Sequence, residues 1–187
     1  MLCFDEKVYY INSRKENACM HVSRQLSSLL QRHPKSSFGS PVFICIGSSR
    51  VTGDSLGPII GSQLKKTFCD DISVYGTLEM PVHALNLSSV LQAVKIHHKN
   101  DLLIAIDAAL GIPEHQGYIT LGRGSLSPGA GVDKDLEHVG DLYITGIIGR
   151  AGRFSHLSLQ TARLSSVMPV ATQISAGILH AFGYFPF

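Results

Sequence analysis

Apolar positions along the chain change period several times, and the changes mark out alternating strands and helices. Residues 42–46 (VFICI) are continuously apolar between Pro41 and Gly47. A strand buried on both faces of a parallel sheet has that pattern. A turn rich in Ser, Thr and Gly follows and carries Asp54 towards a helix, which Leu56, Ile60 and Leu64 at four-residue steps predict to run to about Phe68. Pro58 suits its first turn, where the N–H that proline lacks has no intrahelical partner. Residues 72–77 (ISVYGT) predict a second strand, and Leu87, Val90, Leu91 and Val94 form one face of a second helix. Residues 101–106 (DLLIAI) predict the most continuously apolar strand, closed by Asp107.

The flanks are read in the same way. Residues 1–17 show no clear period and suit an arm or a marginal strand. Val22, Leu26, Leu29 and Leu30 predict an amphipathic helix over 18–32, followed by a loop over 33–40 (HPKSSFGS). Residues 117–121 alternate like a strand with one wet face, a glycine-rich loop covers 122–131, and 142–148 (LYITGII) predict a further strand. The last helix is expected over 159–182, with Leu164, Val167, Met168, Ala171, Ile174 and Ile178 as its buried stripe. Pro169 should kink or divide it. Strands alternating with helices through short connections predict one three-layer α/β/α domain with a mainly parallel sheet.

Composition narrows the function classes. With 187 residues and 44% hydrophobic content the chain can bury a substantial core. Its 16 basic and 14 acidic residues balance to +2, too even to point to nucleic acid or a membrane surface. Cys3, Cys19, Cys45 and Cys69 form no CxxC pair and are expected as reduced thiols rather than a disulfide or zinc framework. The N-terminus (MLCFDEKVYY) is acidic where a signal peptide needs positive charge. The strongest apolar run, 102–110, is interrupted by Asp107 and falls far short of the ~20 residues of a membrane span. A cytoplasmic protein without metal or other cofactor is the expectation.

Asp54 and Asp107 stand out by position. Each should lie at the C-terminal end of a neighbouring strand, where open α/β sheets place ligands. Two carboxyls brought together against apolar walls cannot both ionise cheaply, so one keeps a proton and the pair can supply base and acid to a water molecule. Asp54 has the alternative of capping the following helix, and Asp107 that of an ordinary turn residue. His83, in GTLEMPVHALN, falls at the same rim, where it could orient a carboxylate or move a proton, or simply cap the next helix or stand as a solvated loop residue. Glu79 is a weaker candidate. Gly129, Ala130 and Gly131, within PGAGV, offer uncrowded backbone N–H groups for a substrate main chain or an oxyanion, or form only a tight turn.

Other signatures are missing. GSSRVTGD lacks the GK[ST] ending of a P-loop, and GRGSLS breaks the GxGxxG pattern at its last position. No HExxH or GxSxG occurs. His97 and His98 are adjacent on a helix and make a poor metal pair. Arg150, Arg153 and Arg163 suit a solvated face better than a nucleic-acid site.

The series FICIGSSRVTGDSLGP, VYGTLEMPVHALNL, IAIDAALG, SPGAGV and DLYITGII, in this order between Phe43 and about Ala176, closely resembles the YyaC-type sporulation proteins of spore-forming bacteria. More distantly, GDSLGP, IDA and PGAGV resemble segments of the germination protease that degrades small acid-soluble spore proteins. The resemblance implies a phosphorylase/hydrolase-like fold, shared with hydrogenase maturation proteases. It places Asp54 and Asp107 on the two aspartates assigned to catalysis in the germination protease. In the maturation proteases the same positions bind nickel with the help of a histidine in a later loop; here that loop reads SPGAGV and has none. The implied function is an endopeptidase acting in the forespore or spore core on peptide or protein substrates such as small acid-soluble spore proteins, with His83 assisting. The alternative is a non-catalytic module retained for binding or assembly in the spore. The apolar tail HAFGYFPF would suit a homo-oligomer contact.

Overall fold

The computed structural model describes residues 8–34, 40–69, 71–128, 137–153 and 155–184. Its elements, in chain order, are β1 (Tyr9–Asn12), α1 (Ala18–Gln31), β2 (Val42–Cys45), α2 (Leu56–Phe68), β3 (Val74–Tyr75), α3 (Leu87–His97), β4 (Leu103–Gly111), β5 (Tyr118–Arg123), β6 (Leu142–Arg150), α4 (Ser155–Gln160) and α5 (Leu164–Ala181). The strands make one six-stranded sheet in the order β1-β5-β6-β4-β2-β3. β3, β2, β4 and β6 are mutually parallel, and β5 and β1 extend the sheet antiparallel on the β6 side.

Strand alternation sends the side chains of β4 to two cores. Ile104, Ile106 and Ala108 join α1, α2 and α5 through residues such as Leu26, Leu56, Ile60, Phe68 and Ile174. Ala105 faces the other way and packs with Leu87, Leu91 and Val94 of α3. The result is the expected α/β protein with helices on both faces of a mostly parallel sheet. No helix among the described residues is long and apolar enough to cross a membrane.

Two glycines set how tightly α2 lies on the strands. A Cβ on Gly57 would come within 2.1 Å of the Ile46 carbonyl oxygen, and one on Gly61 within 1.9 Å of the Gly76 carbonyl oxygen. Neither backbone contact tolerates a side chain, so the helix start is pinned against the end of β2.

Several sequence expectations are corrected. β3 spans only Val74–Tyr75, because Gly76 turns to φ +90° and breaks the extended run. β4 does not stop at Asp107 but continues to Gly111, paired with β6 across a register shift between Ala109 and Leu110. The C-terminal helix is divided at 161–163, ahead of α5, and α5 runs through Pro169. Pro169 and Ser165 are exposed, so water can take the carbonyl that the missing N–H leaves unpaired. In the expected stripe of α5, Leu164 and Met168 are 54% and 37% exposed; Val170 is buried instead, beside Val167, Ala171, Ile174 and Ile178. Phe182 and Tyr184 of the tail pack inward. Phe182 meets Phe43 and Phe68 edge-on at 5.8 and 6.0 Å, and Tyr184 packs on Phe68 and donates to Asp71 at 2.9 Å. Phe182 and Tyr184 thus pack against the chain's own core, and residues 185–187 of the expected subunit contact lie outside the described residues. Cys19, Cys45 and Cys69 are free thiols, and Arg150, Arg153 and Arg163 are exposed.

Candidate functional site

The site forms because β2 is short and β4 is long. The last ladder pair between them is Cys45 with Ile106, and Ile46 N–H donates to the Ile106 carbonyl at 2.7 Å. One residue further, β4 continues as Asp107 while the β2 chain turns away at Gly47, whose φ of +143° favours glycine. The turn is closed by Asp54, whose carbonyl accepts the Ser48 N–H at 3.1 Å. A Cβ on Gly47 would lie 2.0 Å from that same oxygen. From the other side, Gly47 N–H donates to the Val82 carbonyl at 2.8 Å. Three segments remote in sequence therefore meet on the Ile46–Gly47 backbone, and each carries one candidate: Asp54, Asp107 and the residue after Val82, His83.

Asp54 lies in a single 3-10 turn, Thr52–Ser55, that runs directly into α2. The residue at the α2 N-cap is Ser55, so Asp54 does not fill the capping role that its place in the sequence allowed. It is half-buried, and burial pushes its carboxyl up to about 6, partly opposed by a hydrogen bond from the Ser48 backbone and by the charge of His83. The leading cause of this elevation is loss of water and not the second carboxyl on which the expectation rested.

Asp107 is buried at 6% exposure in mid-strand, opposite Thr145 of β6. By alternation with Ala105 its side chain belongs to the α3 face of the sheet, the face that carries His83. Its Oδ1 accepts the Ala108 N–H at 2.8 Å. It is thus not a turn residue.

His83 opens the turn before α3. Its N–H donates to Asn86 Oδ1 at 2.8 Å and its carbonyl accepts the N–H groups of Asn86 and Leu87. Nδ1 accepts from Leu85 N–H at 3.3 Å, so in the neutral ring the proton resides on Nε2. His83 thus takes part in the turn before α3, and its charge also favours the ionised form of Asp54. Glu79 is exposed, bonded to Ser62 at 3.5 Å, and its carboxyl is held below the usual range first by its own backbone N–H and then by Thr77. Gly129, Ala130 and Gly131 lie outside the described residues. Among the described residues no three His, Cys, Asp or Glu side chains are grouped to hold a metal ion.

The sequence reading missed two features. A groove of about 890 Å³ reaches from Lys65 and Lys66 along β3 to His83. A polar chain also runs beneath it, from Tyr75 Oη to His98 Nε2 at 3.1 Å and from His98 Nδ1 to Asp101 Oδ2 at 2.7 Å. The spacing of His98 and Asp101 was visible, but Tyr75 joins them only through the fold.

The architecture and this rim define an α/β protein with carboxyl and imidazole groups gathered at the C-terminal end of a parallel sheet. A family model described as Protein of unknown function (DUF1256) matches residues 10–177, and the chain belongs to that family. It is 42% identical over 157 residues to the "Uncharacterized protein YyaC" of Bacillus subtilis (strain 168), an alignment that covers 83% of this chain and 77% of that protein. The kinship read from the five motifs is thereby shown.

Proposed function

We propose that the chain is a peptide-bond hydrolase acting in sporulation, related to the germination protease its motifs resemble, with Asp54 as the group that activates water. The observation that carries this reading is a desolvated carboxyl held near 6, within reach of the charge of His83, an imidazole that lines an open groove. A carboxylate with that affinity is ionised for the most part at neutral pH, yet takes a proton far more readily than a solvated aspartate. In the reaction, Asp54 accepts a proton from water as the water oxygen bonds to the peptide carbonyl carbon. When the C–N bond breaks, that proton passes to the leaving amine. Asp107, one residue beyond the Ile46–Ile106 bond, shares the site and keeps the second carboxyl close to the developing charge. His83 orients Asp54 and shields its charge.

The test is incubation of the full chain with small acid-soluble spore proteins and mass spectrometry of the products. Asp54→Asn and Asp107→Asn should each abolish cleavage while leaving the circular dichroism spectrum intact; cleavage persisting in both variants would remove the mechanism.

A second reading, a non-catalytic spore module, draws on the same groove: it could hold a polypeptide without cutting it. Absence of products together with saturable binding would favour it.

A further inference from the structure

The outer edge of β3 is the edge of the whole sheet. Phe43 N–H donates to the Ser73 carbonyl at 2.9 Å, and Phe43 pairs with Val74. In a parallel ladder that phase turns the polar groups of Ser73 and Tyr75 towards β2 and those of Val74 away from it. An outward N–H and C=O on an edge strand form a template for another chain. The groove of about 890 Å³ lies along this edge, with Lys65 and Lys66 of α2 on one wall and Val90 of α3 on the other.

The groove is built rather than incidental. Tyr75, part of its floor, is fixed by the His98–Asp101 chain. Val82 forms a parallel bridge with Ile46, continuing the line of β3 along β2 until it reaches His83. The charges are uneven: two exposed lysines sit at the β3 entry, and Glu79, whose carboxylate is engaged by its own turn, is the acidic group in the lining.

We propose that this edge takes an extended acidic peptide as an added β-strand, its backbone bonded to Val74, an acidic side chain against Lys65 and Lys66, and its onward chain directed to His83 and Asp54. This deepens the hydrolase reading and rests on it for what becomes of the bound chain; the docking itself stands on the edge geometry. The backbone supplies sequence-tolerant affinity and the lysines supply preference.

The probe is a fluorescein-labelled heptapeptide, Glu-Val-Glu-Val-Thr-Val-Gly, compared with its Lys-for-Glu counterpart and with two forms N-methylated on alternate residues in opposite phases. Fluorescence anisotropy with the full chain should show saturable binding of the acidic peptide. One N-methylated phase should lose about tenfold in affinity, the worth of one hydrogen bond, and the other little. Lys66→Glu should weaken the acidic peptide about fivefold and favour the lysine form. Val74→Pro, which removes the outward N–H without touching the bonds to β2, should mimic the sensitive methylation; the methylation series on the unaltered chain decides the matter if that variant does not fold. No binding, equal loss in both phases, or unchanged charge preference in Lys66→Glu would overturn the proposal. Binding retained by Asp54→Asn with no cleavage by the unaltered chain would sink the hydrolysis and leave the groove. Cleavage indifferent to Lys66→Glu and to both methylation phases would do the reverse.

Discussion

His98 with Asp101 and His83 with Asp54 are two histidine–aspartate pairs built to opposite ends. His98 and Asp101, at the exit of α3, satisfy each other at 2.7 Å, and the second ring nitrogen of His98 is taken by Tyr75. Both nitrogens are committed. His83 gives Nδ1 to Leu85 N–H, which leaves Nε2 for a neighbour, and the aspartate whose charge it senses is pushed up to about 6 by burial. The same two residue types thus make a brace in one place and, on the proposed reading, a reactive rim in the other. What separates them is how completely the polar groups are satisfied. A closed chain of hydrogen bonds resists change, whereas a carboxyl whose loss of solvent outweighs its bond from the Ser48 backbone exchanges a proton more readily near neutral pH.

The sharpest way to break this contrast is through activity. Asp54→Asn or Asp107→Asn should lower hydrolysis by about 10²- to 10⁴-fold, the usual worth of a positioned acid or base. Asp101→Asn should change the rate less than about twofold, since a single exposed-side hydrogen bond to a bracing histidine touches no reacting atom. Initial rates on one substrate preparation check both, and equal losses in the two pairs would erase the distinction.

Much of this geometry follows patterns visible along the chain, and the exceptions share a cause. VFICI and DLLIAI announce buried parallel strands because both faces of each are covered, which leaves no polar alternation to confuse the reading. Asp54 and His83 were placed at one rim for a similar reason: parallel connections return each strand end to the same edge. That β4 runs past Asp107 could not be read, since it depends on register with β6, a strand 35 residues further on, where Asp107 faces Thr145. The break before α5 was assigned to Pro169 because local rules do not say which carbonyls face water. Tyr75 could not be joined to His98, nor Val74 shown to face outward, because both depend on the pairing phase of a two-residue strand. Periodicity reads burial well. It does not read which strand outlasts its neighbour.

Stability offers a second way to sharpen the contrast. His98→Gln removes the bonds to both Tyr75 and Asp101 and leaves two partly buried groups short of partners, at a cost of about 2 to 3 kcal/mol. His83→Gln keeps a side chain able to accept from Leu85 N–H, so its cost should stay within about 1 kcal/mol, while hydrolysis falls about tenfold or more. Urea unfolding of both variants at neutral pH, set beside their rates, would show two opposite profiles. A His83 variant as unstable as the His98 variant would make both histidines braces.

The smallest effect has a sign that the contrast dictates. Asp54 holds its proton more tightly in the fold than in the unfolded chain, because burial penalises the charged form. Stability that depends on the neutral carboxyl is fully present below pH 4 and is lost as pH rises through about 6. Above that value the fold carries an ionised, partly desolvated group. Two pH units of displacement correspond to about 3 kcal/mol for a sealed carboxyl, and to about 2 kcal/mol once the partial exposure of Asp54 is allowed for. An amide copies the neutral acid without ionising, so Asp54→Asn should be neutral at pH 4 and stabilising by up to about 2 kcal/mol at pH 7 to 8. Urea midpoints measured across that range for both proteins check this. The hydrolysis rate of the unaltered chain should rise over the same interval, as the carboxyl becomes the base. A variant that loses activity while gaining stability above pH 6 would mark Asp54 as a residue kept at the expense of the fold, and a variant no more stable than its parent would return it to the company of Asp101.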